Sequence, residues 1–349
     1  MVLRQVSDAE LISLRPAREK LDPWKPYGCL TEQERGRSGE IEDVATIFLT
    51  NRECPFRCVM CDLWKYTLTE RVPVGAIPAQ IRIALEQLPS IRHVKLYNAG
   101  NFFDARAIPP EDHADIAALV SRFATVIVEN HPRLTNQRCV EFRTLLRETA
   151  SSVQKRDSES LHQSQNDRIR HSFGSTFSAV VPELEIAMGL ETIHPEILPR
   201  LNKQMTVSDF DRAVGFLRTH DISCRAFVLL NPPGLDLQSG AEWAVRSVEH
   251  AFQAGVSCCS VIPVRSGNGM MDELQRTGDY HAATLKTLED VMDAVPMSPD
   301  RRLFADLWDI EKLADCRDCF SARLARLQRI NLSQQSEPRI DCHCPGGRS

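Results

Sequence analysis

Short apolar runs that alternate with amphipathic stretches constrain the fold of this 349-residue chain more than any other feature. Six runs rich in β-branched or aromatic residues predict buried strands. A helical pattern follows each of them before the next begins, which predicts a parallel sheet with right-handed crossovers. Six units are too few to close an eight-stranded barrel, so we expect an α/β fold, an open (β/α)6 partial TIM barrel. The predicted strands are residues 44–50, 94–97, 125–128, 184–188, 224–230 and 258–264.

Composition divides the chain into three regions. Residues 1–43 are polar and irregular and are predicted to form an N-terminal cover segment. Residues 44–295 hold the partial barrel, and residues 296–349 form a small C-terminal extension with clustered cysteines. Within the barrel, residues 151–174 are rich in Ser, Gln, Asp, Arg and His, which predicts a flexible insertion.

Charge and cysteine content limit the compartment and the partners. The net charge is −5, so no global basic field supports nucleic acid or an anionic membrane as a partner. The N-terminal residues lack the apolar core of a signal peptide, and no run approaches the ~18 apolar residues of a membrane span. Twelve cysteines without a secretion signal favour metal ligation in a reducing compartment. We therefore expect a soluble cytoplasmic protein.

Three cysteines directly after the first predicted strand are candidate metal ligands. Cys54, Cys58 and Cys61 have the spacing C-x3-C-x2-C. Thiolates this close together bind a soft metal or an iron–sulfur cluster, and three ligands leave one iron of a four-iron cluster open. A zinc site and three ordinary buried cysteines are the alternatives. Zinc sites usually use C-x2-C or C-x4-C pairs closed by a second pair, and no Cys or His follows at close range.

This spacing after a first strand is typical of the radical S-adenosylmethionine (SAM) enzymes, and the chain resembles them. The residue before the third cysteine is usually aromatic in that superfamily and is Met60 here. The resemblance implies a [4Fe-4S] cluster whose open iron chelates the amino and carboxylate groups of SAM. It also implies that one electron, from a reductant such as flavodoxin or ferredoxin, cleaves SAM to a 5′-deoxyadenosyl radical.

Two further stretches carry the resemblance. Residues 187–206 resemble the fourth-strand region of methylthiotransferases, oxygen-independent coproporphyrinogen oxidases and the elongator catalytic subunit. Glu191 matches the acidic position there that contacts SAM. Residues 128–132, residues 227–233 and the C-terminal cysteines most resemble the radical subunit of archaeosine synthase, a tRNA-modifying enzyme. The superfamily's second strand often ends in Gly-Gly-Glu, which binds the methionine amine, and Asn98-Ala99-Gly100 stands in that place.

Polar residues follow every predicted strand, and in βα barrels the chemistry gathers where strands end. This pattern predicts a single polar mouth. Glu129 and His131 lie at this mouth and are candidates for binding the cofactor or substrate or for transferring protons. An ordinary structural role is the alternative. The residues expected to bind SAM are Asn98, Ala99, Gly100, Glu129, Glu191 and Arg265.

The C-terminal extension contains a second group of thiols. Cys316 and Cys319 form a C-x2-C pair, and Cys342 and Cys344 form a C-x-C pair. Four soft ligands are enough for a tetrahedral zinc ion or an auxiliary iron–sulfur cluster, and four unpaired thiols in a fraying tail are the alternative. Between the pairs, residues 320–330 have a helical period. Arginines at 323, 326 and 329 are expected on its solvated face, with phosphate contact as the alternative.

Together these patterns predict a radical SAM enzyme. Its cofactors are expected to be a [4Fe-4S] cluster and SAM, with zinc or a second cluster at the C-terminus. RNA and small molecules are the candidate substrate classes. The competing hypothesis is a non-enzymatic metal-binding or RNA-binding module built on the same fold, because a fold does not determine a function.

Overall fold

The computed structural model describes residues 4–164 and 181–342. Within these ranges, eight strands form one sheet in the sequential order β1 to β8. β1 pairs antiparallel with β2, and every later pair of neighbours is parallel. The predicted α/β partial barrel is confirmed. The strands are β1 Gly28–Arg35, β2 Ile41–Phe48, β3 His93–Tyr97, β4 Thr125–Glu129, β5 Glu183–Glu191, β6 Ser223–Leu230, β7 Cys258–Pro263 and β8 Arg302–Ala305.

Helices connect the parallel strands and pack apolar faces against the sheet. In α6, for example, Phe210, Val214 and Leu217 are fully buried, and a capping box of Thr206 and Asp209 starts the helix. None of the described helices is both long and apolar enough to cross a bilayer. The helices are α1 Asp8–Ser13, α2 Ala76–Gln87, α3 His113–Val120, α4 Gln137–Ser164, α5 Ile197–Arg200, α6 Val207–Thr219, α7 Leu237–Ala254, α8 Met270–Thr277, α9 Leu285–Ala294 and α10 Arg317–Ser333.

All six predicted strands are present as β2 to β7, and two further strands extend the sheet beyond them. β1 lies within residues 1–43, so this region is not irregular throughout. β1 is polar because it is an edge strand with only one buried position. β8 lies within the predicted C-terminal extension and has only four residues, too few to show a period.

The predicted insertion at 151–174 overlaps a helix. α4 continues to Ser164, so the first part of that stretch is helical. Residues 165–174 lie outside the described residues. The length of α4 was not expected, because its last turns are polar and carry no apolar stripe.

A buried network of charges fills the end of the barrel opposite the carboxyl ends of the strands. Lys95, Glu185, Arg225 and Arg302 point inward near the starts of β3, β5, β6 and β8, and Glu34 reaches them from β1. Lys95 Nζ lies 2.7 Å from Glu34 Oε2, and Arg225 Nε lies 2.7 Å from Glu185 Oε1. Arg225 also pairs with Glu34, and Arg302 Nη2 lies 3.2 Å from Glu185 Oε2. We call these five residues the floor network.

Helix α10 and its C-cap residue protect the outer edge of β8 with two amide side chains. Asn331 accepts a hydrogen bond from Ala305 N and donates one to Ala305 O, both at 2.9 Å. Gln334 accepts from Leu303 N at 2.7 Å and donates to Leu303 O at 3.0 Å. The two amides therefore satisfy the backbone groups that a further strand would otherwise pair.

Candidate active site

The three cysteines of the C-x3-C-x2-C motif lie on one loop that leaves the carboxyl end of β2. Cys54, Cys58 and Cys61 are half-buried free thiols. The start of the loop is held by α2, since the Gln80 amide accepts from Thr50 N and donates to Thr50 O, both at 2.8 Å. The loop is therefore anchored to the body of the barrel before the first cysteine.

Residues from two other strand–helix units clamp the cysteine loop. Val59 N donates to Leu201 O at 2.9 Å, and Asn202 Nδ2 donates to Arg57 O at 2.8 Å. On the other side, Asn268 Nδ2 donates to Val59 O at 2.8 Å and to Cys61 O at 3.1 Å. These bonds fix the backbone between the cysteines through segments that precede α6 and α8.

The N-terminal residues contact the outside of the same loop. Asp8 of α1 pairs with Arg57 at 3.1 Å. Arg15 Nη1 lies 2.8 Å from Glu53 Oε1, and its guanidinium stacks over Trp64 with 4.6 Å to the ring centroid. Arg18 also pairs with Glu53.

The turn that replaces Gly-Gly-Glu lies beside the first cysteine. Ala99 has φ of +50°, in the left-handed region. A Cβ added at Gly100 would lie 3.5 Å from Cys54 Cβ, so the turn and the loop are in contact. Asn101 Nδ2 donates to Cys54 Sγ at 3.2 Å. The turn after β3 thus lies against Cys54, a candidate cluster ligand.

Glu129 holds this turn from the end of β4. Its Oε2 accepts a hydrogen bond from Asn98 N at 2.9 Å, and the N–H groups of Ala99 and Gly100 also bond to the carboxylate. Burial raises the pKa of Glu129 to about 7, although these bonds and Lys203 act in the opposite direction. Glu129 therefore shapes the turn, and its contact with SAM stays a prediction.

Glu191 forms a buried ion pair with Lys203, a residue that the sequence analysis did not single out. Both side chains are 9% exposed. Glu191 has φ of +66° and lies at a register shift between β5 and β6. A Cβ at Gly189 would overlap the ends of both the Glu191 and Lys203 side chains, so any other residue there would force the pair to move.

The Lys203 ammonium also acts on the cysteines. Burial raises the pKa of the Cys58 and Cys54 thiols, and the positive charge of Lys203 opposes that effect. Burial alone would lower the pKa of Lys203, but Glu191 and Cys58 raise it, so the side chain remains protonated at neutral pH. A fixed positive charge therefore lies beside the thiols.

His131 joins the cysteine loop to the segment that carries Lys203. Its ring stacks on Phe56 with centroids 3.8 Å apart, and its Nε2 lies 3.0 Å from Lys203 O. Burial lowers the pKa of His131 to about 3, and the Lys203 charge adds to this effect, so the ring is neutral at pH 7. These contacts give His131 a positioning role.

Arg265 follows β7, and its guanidinium binds the loop after β8. Nη2 lies 2.9 Å from Asp306 Oδ2 and also donates to Trp308 O. A role of Arg265 in SAM binding stays a prediction.

The residues at this mouth fit a three-cysteine cluster with a small polar ligand. Asn98 is fully buried, yet within the described part of the chain neither its Oδ1 nor its Nδ2 has a hydrogen-bond partner. Such an amide is costly unless water or a ligand bonds to it. Three thiols after β2, an unsatisfied amide after β3 and a protonated lysine beyond β5 are suited to a cluster and to a ligand with amino and carboxylate groups.

The second cysteine group forms at the start of α10. The sulfur atoms of Cys316, Cys319 and Cys342 all lie within 4.8 Å of one another. The predicted convergence of these pairs is confirmed for three members, and Cys344 lies outside the described residues.

The expected solvated face of α10 is wrong for two of its three arginines. Arg323 is 5% exposed and Arg326 is fully buried. Both pair with Glu289 of α9, at 2.7 Å and 3.4 Å, and the third arginine, Arg329, pairs with Glu337 at 3.1 Å. They are buried because α10 packs beside acidic residues of α9 that the pattern of α10 alone cannot reveal.

Comparison with known proteins gives distant matches. No family model matches the chain. It is 21% identical over 350 residues to an uncharacterized protein of Methanocaldococcus jannaschii, which covers 94% of this chain and 87% of that protein. It is 22% identical over 301 residues to archaeosine synthase subunit beta of Methanosarcina acetivorans, with coverage of 82% and 77%.

Solved structures that are similar to the chain at low identity include the following three proteins. The radical SAM methyltransferase TsrM of Kitasatospora setae matches at 15% identity and a TM-score of 0.42 over 69% of this chain, which spans 40% of TsrM. Methylornithine synthase (PylB) matches at 12% identity and a TM-score of 0.47, and the match covers 81% of this chain and 67% of PylB. Elp3 of Methanocaldococcus infernus matches at 13% identity and a TM-score of 0.45, and the match covers 72% of this chain and 59% of that chain.

Proposed function

We propose that this chain is a radical SAM enzyme whose [4Fe-4S] cluster is bound by Cys54, Cys58 and Cys61. The observation that supports it best is the juxtaposition at one mouth of the cysteine loop, the unsatisfied Asn98 amide and the protonated Lys203. When bound, a cluster of this kind supplies one electron for the cleavage of SAM to a 5′-deoxyadenosyl radical.

The residues of the chain bind and orient in this proposal. The N–H groups of the Asn98–Gly100 turn are used by Glu129, so its carbonyl oxygens remain to accept from an amine. The Lys203 ammonium attracts a carboxylate from the side of β5, and the Asn98 amide can bond to either group. Glu129, Glu191 and His131 hold these groups in place, and an external reductant such as flavodoxin or ferredoxin supplies the electron.

The proposal is tested by anaerobic reconstitution followed by measurement of iron and of 5′-deoxyadenosine formed with dithionite. We expect about four irons on the first triad and SAM cleavage in the wild type. Cys58→Ala should abolish both. Cys29→Ala, which changes a half-buried thiol of β1, should leave both unchanged.

Two results would contradict the proposal. A wild type that binds only zinc at the first triad would exclude the cluster. A full cluster that yields no 5′-deoxyadenosine would favour the non-enzymatic metal-binding or RNA-binding module.

A nucleobase in tRNA is the candidate substrate favoured by the similarity to archaeosine synthase subunit beta. Nucleoside analysis of bulk tRNA, incubated anaerobically with the enzyme, SAM and reductant, tests this candidate. A new or depleted nucleoside supports it. SAM cleavage that leaves every tRNA nucleoside unchanged would point instead to a small-molecule substrate.

A further inference from the structure

The spacing of the sulfur atoms at the start of α10 distinguishes the two metal centres that the sequence left open. Four thiolates around one tetrahedral zinc at ~2.3 Å lie ~3.8 Å apart. In a [4Fe-4S] cluster each thiolate binds a different iron, which sets the sulfur atoms farther apart. The sulfur atoms of Cys316, Cys319 and Cys342 all lie within 4.8 Å of one another, which fits a single ion.

Two of the thiols lie where a helix favours the thiolate form. Cys316 is the N-cap residue of α10 and Cys319 lies in its first turn. The N–H groups at a helix N-terminus stabilise negative charge, and ligation requires the thiolate.

The segment that leads back from the end of α10 to the third thiol, Cys342, is held in place by arginines. α10 has 17 residues, about 26 Å at ~1.5 Å per residue. Residues 334–342 must span that length again in a nearly extended form, at ~3.3 Å per residue. Arg326 Nε donates to Pro338 O at 2.9 Å, and Arg339 binds Asp290 and Asp293 of α9 at 2.7 Å and 2.6 Å. The return segment is thus held against α9 and α10 on its way to Cys342.

We infer that Cys316, Cys319 and Cys342 bind one structural zinc ion. Thiolate-rich tetrahedral sites select zinc among the common divalent ions, and structural zinc sites are closed by four ligands. The three thiols of the described residues supply three of these ligands. The ion ties the start of α10 to the end of the return segment, and so secures the helix that protects the β8 edge. This inference does not depend on the radical chemistry.

Metal analysis of the purified full-length protein tests the site. We expect about one zinc per chain in the wild type and in Cys29→Ser. The double variant Cys316→Ser with Cys319→Ser should lose that zinc and keep the iron of the first triad. Loss of about four irons in place of zinc would overturn the inference in favour of an auxiliary cluster. Unaltered zinc, or a wild type without zinc, would overturn it as well.

A cobalt experiment keeps the inference testable if the double variant does not fold. Wild-type protein with its first cluster in place is treated with chelator and then titrated with Co²⁺. We expect thiolate-to-cobalt charge-transfer absorption and intense tetrahedral ligand-field bands that saturate at one equivalent and disappear when Zn²⁺ is added. Weak octahedral bands alone would show that the three sulfur atoms do not form a metal site.

Discussion

At the scale of single residues, Lys203 is the charge that the candidate cluster would sense most directly. A nearby positive charge stabilises the more negative reduced cluster. Lys203→Met removes it and leaves Glu191 unpaired, so the midpoint potential should become more negative, with about 59 mV for each tenfold change in the redox equilibrium. Lys312→Met changes a lysine whose side chain is 63% exposed and should leave the potential unchanged. Potentiometric titration followed by electron paramagnetic resonance measures the shift, and equal midpoints in all three proteins would contradict this role.

At this scale the sequence could suggest the candidate ligands but reveal only part of their surroundings. Cys54, Cys58 and Cys61 are adjacent in the chain, so their spacing was visible. Asn202 and Lys203 lay within a stretch that was singled out for Glu191, yet Asn202 bonds to Arg57 and Lys203 acts on Cys58, both far away in the sequence. Nothing in a local pattern shows which lysine will be buried beside which thiol.

At the scale of elements, the pattern predicted the central strands and missed the two at the margins. β2 to β7 are apolar because helices cover them. β1 is polar and β8 is short, so neither has the alternation or apolar run that marks a strand. Whether a segment forms an edge strand depends on the element that packs beside it. Here α10 contacts both edge strands, β1 and β8.

The amide cap on β8 gives an element-scale prediction. Asn331→Ala combined with Gln334→Ala leaves the peptide groups of Leu303 and Ala305 without partners, which should cost on the order of 2 kcal/mol in the free energy of unfolding. The freed edge should also promote association. Urea unfolding and light scattering measure these effects, with the exposed Gln335→Ala as the control. A double variant as stable and as monodisperse as the control would show that the cap is dispensable.

At the scale of the whole molecule, the floor network connects strands that are not neighbours in the sheet. Glu34→Gln leaves Arg225 and Lys95 undercompensated in a buried site, which should destabilise the protein by about 3 kcal/mol. Glu32→Gln is the matched control on the same strand, because Glu32 also pairs with Lys95 but is 49% exposed, and it should cost less than about 1 kcal/mol. Urea unfolding at pH 7 compares the two, and equal costs would contradict the importance of burial.

The same substitution has a defined pH dependence. Burial alone would raise the pKa of Glu34, but Arg225 and Lys95 outweigh it and hold the pKa well below its usual range. The stabilisation is present above the unfolded pKa of ~4.5 and is lost as the pH falls toward the lower folded pKa. The stability difference between wild type and Glu34→Gln should therefore shrink progressively below about pH 4.5.

The left-handed residues at the mouth show a conflict between the stability of the fold and the rigidity of the mouth. Ala99, Glu191 and Asn231 end three strands in the left-handed conformation, with φ between +50° and +66°. For residues other than glycine this conformation costs roughly 1–2 kcal/mol each. Glycine at these positions would relieve that cost, but it would also free the turns to sample many shapes. Selection for heat resistance alone would therefore favour variants with a more flexible rim, whereas the residues present keep the rim of the mouth rigid.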